Sequence, residues 1–174
     1  MQPDGTIAVL DAVDDARRLF LDRHHVHGCA ETTFIVLKRA FRLDDPDDAS
    51  AAMALNGGIA YAGGTCGAIS GAALALGLLS ARRIGDHKEA KRVARELTAQ
   101  LMDDFAREHG SLDCRDLIGR DLRAPGAHAA FLRSRAWRDR CMPQIEFAIR
   151  RLVPLSDPDA WDRASASIRA TSAR

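Results

Sequence analysis

The chain has 174 residues, 47% of them hydrophobic and 28% charged, with 25 Lys+Arg against 24 Asp+Glu for a net charge of +1. That is enough for one domain with a real core, in a composition ordinary for a globular protein. The charge balance gives no electrostatic reason to expect nucleic acid or an anionic membrane as partner.

The opening residues, MQPDGTIAVLDAVDDARR, lack a basic segment followed by an apolar run. A secretory signal is therefore not expected, and the protein is expected in the cytoplasm. Strand signals are scarce, whereas Ala and Leu are abundant and form helices well. A first helix is predicted over 10–24, with Val13, Ala16, Leu19 and Phe20 on one face. A second follows over 29–42, where Phe34, Leu37 and Phe41 share a face. Asp47 or Asp48 can start a short third helix that ends at Asn56-Gly57-Gly58.

No charged residue occurs between Ala49 and Ala81. Glycines, Asn56 and Thr65 interrupt that stretch, and its cleanly apolar part is too short to span a bilayer comfortably. A fourth helix over 66–83 is apolar nearly all round, so it is expected at the centre of the fold, with Gly67 and Gly71 as a face for close helix approach. The fifth helix, over 86–108, places Val93, Leu97, Leu101 and Phe105 four apart and stops at Gly110. Ser111 can cap a short sixth helix reaching Gly119. After a loop, RDLRAPGAHAA, a seventh helix spans 131–152, with a break expected near Pro143. The expected fold is all-α: a single-domain bundle of six to seven helices around a buried Gly/Ala-rich central helix. Residues 1–153 form the helical domain, and 154–174 read as a loosely ordered polar tail.

Four cysteines are present, Cys29, Cys66, Cys114 and Cys141, and no two form a CxxC pair. Cysteines of a reducing compartment tend to be metal-binding, catalytic or simply buried. The first three are predicted at helix starts, where unpaired N–H groups and the helix dipole favour a thiolate. Cys141 lacks that setting, but Arg138 and Arg140 adjoin it in sequence. The plain alternative is four small core residues. The loop GGIAYAGGT before Cys66 matches neither GxxxxGK[ST] nor GxGxxG, so it reads as a tight turn bringing amides to the Cys66 sulfur rather than a phosphate cradle.

Three histidines, His24, His25 and His27, precede Cys29. His27 is a candidate extra metal ligand, while His24 and His25 suit a solvated helix end. Glu31 serves its helix start electrostatically or accepts a thiol proton, and Tyr61 is a polar wall or a packing residue.

The segments GCAETTF, GGTCGAISGAALALGL, GSLDCRDLIG and the late Arg140-Cys141 together resemble the C_GCAxxG_C_C family of redox-active proteins, over most of the chain. The block from Gly63 to Gly77 is the most specific part, although it reads Cys-Gly-Ala where the family name has Gly-Cys-Ala. All four cysteines fall on the family's cysteine positions. The resemblance implies thiol chemistry, since some members carry selenocysteine, or an iron–sulfur centre, as in the related domain of split-Soret cytochromes. No CxxCH haem motif is present.

Three functions follow as expectations. In the first, Cys29, Cys66, Cys114 and Cys141 bind a [2Fe–2S] cluster or another metal for electron transfer. In the second, a thiol oxidoreductase uses Cys66 as its low-pKa attacking thiol and Cys29 as its resolving partner. The third is a helical interaction module with core cysteines. The expected partner is a redox protein or a small thiol, with a homodimer allowed and neither nucleic acid nor membrane involved.

Overall fold

The computed structural model describes the backbone of residues 5–171 and the side chains of 8–170. Its described residues form eight α-helices: α1 Gly5–Phe20, α2 Cys29–Ala40, α3 Gly67–Arg83, α4 His87–His109, α5 Cys114–Ile118, α6 Ala127–Ser134, α7 Ala136–Leu152 and α8 Pro158–Thr171. Two 3-10 segments, Ser50–Leu55 and Val153–Ser156, complete the elements. The chain is all-α, as the composition and periodicity led one to expect.

The packing centre is shared by two helices. α3 lies against α2 on one side and α4 on another. Gly67 and Gly71 make the first contact possible: a Cβ on Gly71 would lie 2.3 Å from the Ala30 carbonyl oxygen. The small-residue face thus does what its sequence suggests. α3 is less enclosed than its apolar sequence implies, because Leu78 is 45% exposed. α2 is the more completely buried helix, from Ala30 through Lys38. Its sequence concealed this, since it carries Glu31, two threonines and Lys38. The Lys38 ammonium is 4% exposed and donates to the Asp45 and Asp48 carbonyl oxygens at 2.5 and 2.9 Å. A buried cation is tolerable when its donors are satisfied in this way.

Local signals fix several helix ends. The Asp86 carboxylate accepts from the Glu89 amide at 2.8 Å and starts α4, and Gly110, at φ 81°, ends it. Ser111 acts one step earlier than expected: its hydroxyl accepts from the Asp113 amide, and Asp113 is the N-cap of α5.

Two expectations fail. Pro143 does not break the seventh helix; it sits inside α7, and the break falls at Arg135, at φ 57°, between α6 and α7. A proline removes one amide donor from a helix, whereas a left-handed residue redirects the whole chain. Nor is the stretch after 154 a loose tail. The Asp157 carboxylate accepts from the Ala160 amide to begin α8, whose Trp161 and Ile168 are buried. The Arg83 guanidinium lies 5.2 Å from the Trp161 ring centre, a cation–π contact. Residues 172–174 lie outside the described residues. No helix among the described residues is long and apolar enough to cross a membrane.

A docked α8 has a measurable consequence. Trp161→Ala removes a side chain 3% exposed, so unfolding in urea should show a loss of about 3–5 kcal/mol. A loose tail would show none.

Candidate functional site

The helix-start placement holds for three cysteines. Cys29 and Cys114 are the first residues of α2 and α5, Cys66 is the N-cap of α3, and Cys141 lies within α7. The loop between residues 57 and 65 ties these starts together. The Cys66 amide donates to the Leu112 carbonyl at 2.8 Å, and the Cys114 amide to the Gly64 carbonyl at 2.7 Å. Thr65 and Asp113 pair as an isolated antiparallel bridge.

Cys29 sits in a crowded cradle. A Cβ on Gly67 would lie 2.3 Å from the Cys29 sulfur, so only glycine fits there. The backbone N–H groups of Gly57, Ala30 and Gly67 act on that sulfur together with its own amide. Asn56 holds the surroundings. Its side-chain oxygen accepts from the Ala30 amide at 3.0 Å and lies 3.9 Å from the Cys29 sulfur. Its amide nitrogen donates to Glu31 Oε2 at 2.8 Å, and the same oxygen accepts from the Gly28 amide. Glu31 therefore serves the start of α2, the electrostatic role expected of it. No sequence motif singled out Asn56, though a lone amide in an apolar stretch beside two glycines is the signal that could have.

A cavity of about 210 Å³ opens over this cradle. Cys29, Cys114 and Cys141 line it, while Cys66 lies behind, its thiol donating to the Gln144 side-chain oxygen at 3.5 Å. Tyr61 borders the cavity and stacks on His128 with ring centres 4.4 Å apart, so it is a wall residue. His27 lines the cavity, and so does His25, which is exposed as expected and also meets the edge of Trp137, ring centres 4.5 Å apart. His24 is not part of the lining; Arg23 bonds it at 3.0 Å. Phe131, Leu122 and Trp137 supply the apolar walls.

All four cysteines are free thiols. Burial pushes every one upward, against the downward pull of the helix starts. Cys29 is raised by burial, partly offset by the surrounding backbone N–H groups. Cys114 goes from 9.0 to about 12, first through burial, then through the charges of Cys29 and Asp113. Cys66 is raised well above its ordinary value by burial and then by Cys29 and Cys114. Cys141 is raised well above it too, by burial and then by the other three sulfurs. Cys29, Cys114 and Cys141 share one cavity wall, and Cys29 is among the charges that raise each of the other three thiols. Burial corrects the expectation for Cys66: it is 2% exposed and hard to ionise, so it is not a low-pKa attacking thiol. The desolvation of its sulfur outweighs the helix start. Cys29, half-buried and cradled by N–H groups, is the thiol best placed to ionise first. Among the described residues, no group of three or more His, Cys, Asp or Glu is arranged to hold a metal ion.

An all-α chain that lines one cavity with three thiols and holds a fourth behind it is a cysteine-site protein of the kind that carries thiol or metal redox chemistry. The comparison with known families agrees: residues 27–154 match the family described as "Putative redox-active protein (C_GCAxxG_C_C)", and the chain belongs to that family. No curated protein and no solved structure matches the chain.

The thiols make stability pH-dependent in the metal-free protein. In the unfolded chain Cys114 ionises near 9.0, and in the folded chain at about 12. Its stabilising contribution is whole below pH 9 and is lost as pH rises toward 12. The urea midpoint should fall above pH 9, and fall less steeply in Cys114→Ser.

Proposed function

We propose that this redox-active protein binds an iron–sulfur cluster, [2Fe–2S] by donor count, through Cys29, Cys66, Cys114 and Cys141, and serves in electron transfer. The observation that supports this is the single cavity lined by Cys29, Cys114 and Cys141, with the buried Cys66 behind it. Buried neutral thiols make poor nucleophiles, but a bound metal deprotonates a coordinating thiol outright. Four cysteines match the usual donor set of such a cluster. In a [2Fe–2S] centre the four are shared between two irons, so three donors need not meet around one ion. When bound, the cluster would supply one-electron chemistry. The chain's own contribution is to hold the donors, to aim the Gly57, Ala30 and Gly67 amides at the Cys29 sulfur, and to restrict water with apolar walls. Amide hydrogen bonds to a cluster sulfur and low solvent exposure are both levers on reduction potential.

A second reading is favoured by one observation. The N–H cradle and partial exposure of Cys29 suit a thiolate that attacks a small disulfide or partner protein, with Cys114 or Cys141, which share its cavity, as resolving thiol.

Anaerobic purification and reconstitution with iron and sulfide separates the two. The cluster reading expects a coloured protein with visible charge-transfer bands and about two irons per chain, and loss of both in Cys66→Ser. A protein that stays colourless and iron-free rejects it. If alkylation of that colourless protein at neutral pH then labels Cys29 ahead of the other three, the thiol reading stands.

A further inference from the structure

The balanced net charge hides an uneven distribution. Between Cys114 and Cys141 the sequence carries seven arginines, no lysine and three aspartates, a surplus of four positive charges. The rest of the chain has 18 basic residues against 21 acidic ones. The three aspartates do little to neutralise this segment. Asp121 pairs with Arg115 at 3.3 Å, Asp116 accepts from the Ser111 hydroxyl, and Asp139 is exposed on α7. Among the described residues, Arg120, Arg123, Arg133, Arg135 and Arg138 form no ion pair.

These arginines lie on the segments that build the cavity wall, and three of them touch it or the residue beside it. The Arg120 guanidinium lies 5.4 Å from the ring centre of Phe131, and that of Arg138 lies 5.1 Å from that of Trp137; both rings line the cavity. Arg123 donates to the Ala60 carbonyl at 3.2 Å, next to the wall residue Tyr61. Arg133 and Arg135 follow Leu132, another lining residue, and both are exposed. The Arg138 Nε is buried without a partner, a donor left unused.

From this we infer that the arginine-rich segment is a docking surface for an acidic partner protein, which it seats over the mouth of the cysteine cavity. Unpaired charges of one sign around a site raise the encounter rate of an oppositely charged partner and fix its orientation. An acidic protein fits better than nucleic acid because the positive face is confined to the cavity rim and the chain as a whole is nearly neutral. The choice of a redox protein as partner rests on the redox reading of the cavity; the charge argument does not.

The test measures binding rather than colour, so it is independent of cluster loading. A strongly acidic flavodoxin serves as the probe, titrated at low salt against the whole chain, metal-free and reconstituted. Wild type should bind, and binding should fall as salt rises through 0.3 M, a concentration chosen to shorten the screening length well below about 10 Å. Arg120→Glu, Arg133→Glu and Arg135→Glu together should weaken it by about tenfold or more. The same three changed to Gln should weaken it less, and both variants should keep wild-type helical circular dichroism. Lys88→Glu, Lys91→Glu and Arg95→Glu on α4 make the same charge change elsewhere and should leave binding within about twofold once their net-charge effect is screened. The proposal is overturned if wild type does not bind, if the rim variant binds like wild type, or if the α4 variant loses as much. It is also overturned if a short DNA duplex binds the wild-type rim more tightly than the flavodoxin does. Failure of the cluster proposal would show separately, as a colourless protein that still docks.

Discussion

The site depends on a steric constraint at one sulfur. Cys29 is pressed so closely between α2, α3 and the segment before α3 that Gly67 and Gly71 admit no side chain, and one at Gly28 would displace the Asn56 amide. A Cβ on Gly28 would lie 2.2 Å from the Asn56 side-chain oxygen, one on Gly67 would meet the Cys29 sulfur, and one on Gly71 the Ala30 carbonyl. Close approach lets amides of three segments reach a single thiol. It also sets the first turns of α2 and α3 side by side, and that brings Cys66 behind Cys29. Packing density and site chemistry therefore share the same residues, and a methyl group added at Gly67 or Gly71 would disturb both.

The second element of the site is backbone held in an unusual conformation. Gly57, Gly58, Ile59, Ala60 and Tyr61 all have φ between 48° and 71°, a left-handed run of five. Glycine enters that region freely, whereas Ile59, Ala60 and Tyr61 each do so at a cost of about 1–2 kcal/mol. Such a run persists only where its surroundings hold it. Here Arg123 binds the Ala60 carbonyl, Arg115 binds that of Ala62, and the Tyr61 ring rests on His128. The result aims the Gly57 amide at Cys29 and delivers Gly63 and Gly64 to the start of α5, where Cys114 sits. One irregular loop thus sets the spacing of three cysteines that are far apart in sequence.

Much of this was legible in the sequence, for identifiable reasons. Helical periodicity and caps such as Asp86 and Gly110 act locally, so they located most helices and put three cysteines at helix starts. The glycine-rich loop is the tight turn expected, but its Gly57 amide serves the Cys29 sulfur, whereas Cys66 meets only the amides of Ala68 and Ile69 at the start of its own helix. What escaped was decided by tertiary contacts. Lys38 is buried because two backbone carbonyls lie across from it, and no spacing rule reports that. α8 is docked through Trp161 against Arg83, 78 positions earlier. His25 lines the cavity because Trp137, from a distant helix, meets it. The arginines between Cys114 and Cys141 were visible as letters, but their common position depends on how α5, α6 and α7 turn around the cavity.

The competition between helix termini and burial decides what these thiols can do. A helix start favours a thiolate by at most about 1 kcal/mol at an exposed site, less than one pKa unit. Burial acts in the opposite direction and can move a fully enclosed group by several units. Cys114, at the first residue of a helix and 7% exposed, ends at about 12 rather than below 9.0. All four thiols are therefore neutral at physiological pH unless something positive enters the cavity. The rim arginines do not remove this requirement, since none is among the causes that set the four thiols. A cation bound directly by the sulfurs would remove it, converting mutual repulsion among four thiolates into attraction to a shared centre. Helix-start placement then acquires a different role from the one it suggests alone. Near-surface dipoles are too weak to generate the thiolates, but if a bound metal did so, the amides around Cys29 would stabilise the charge that remained on its sulfur.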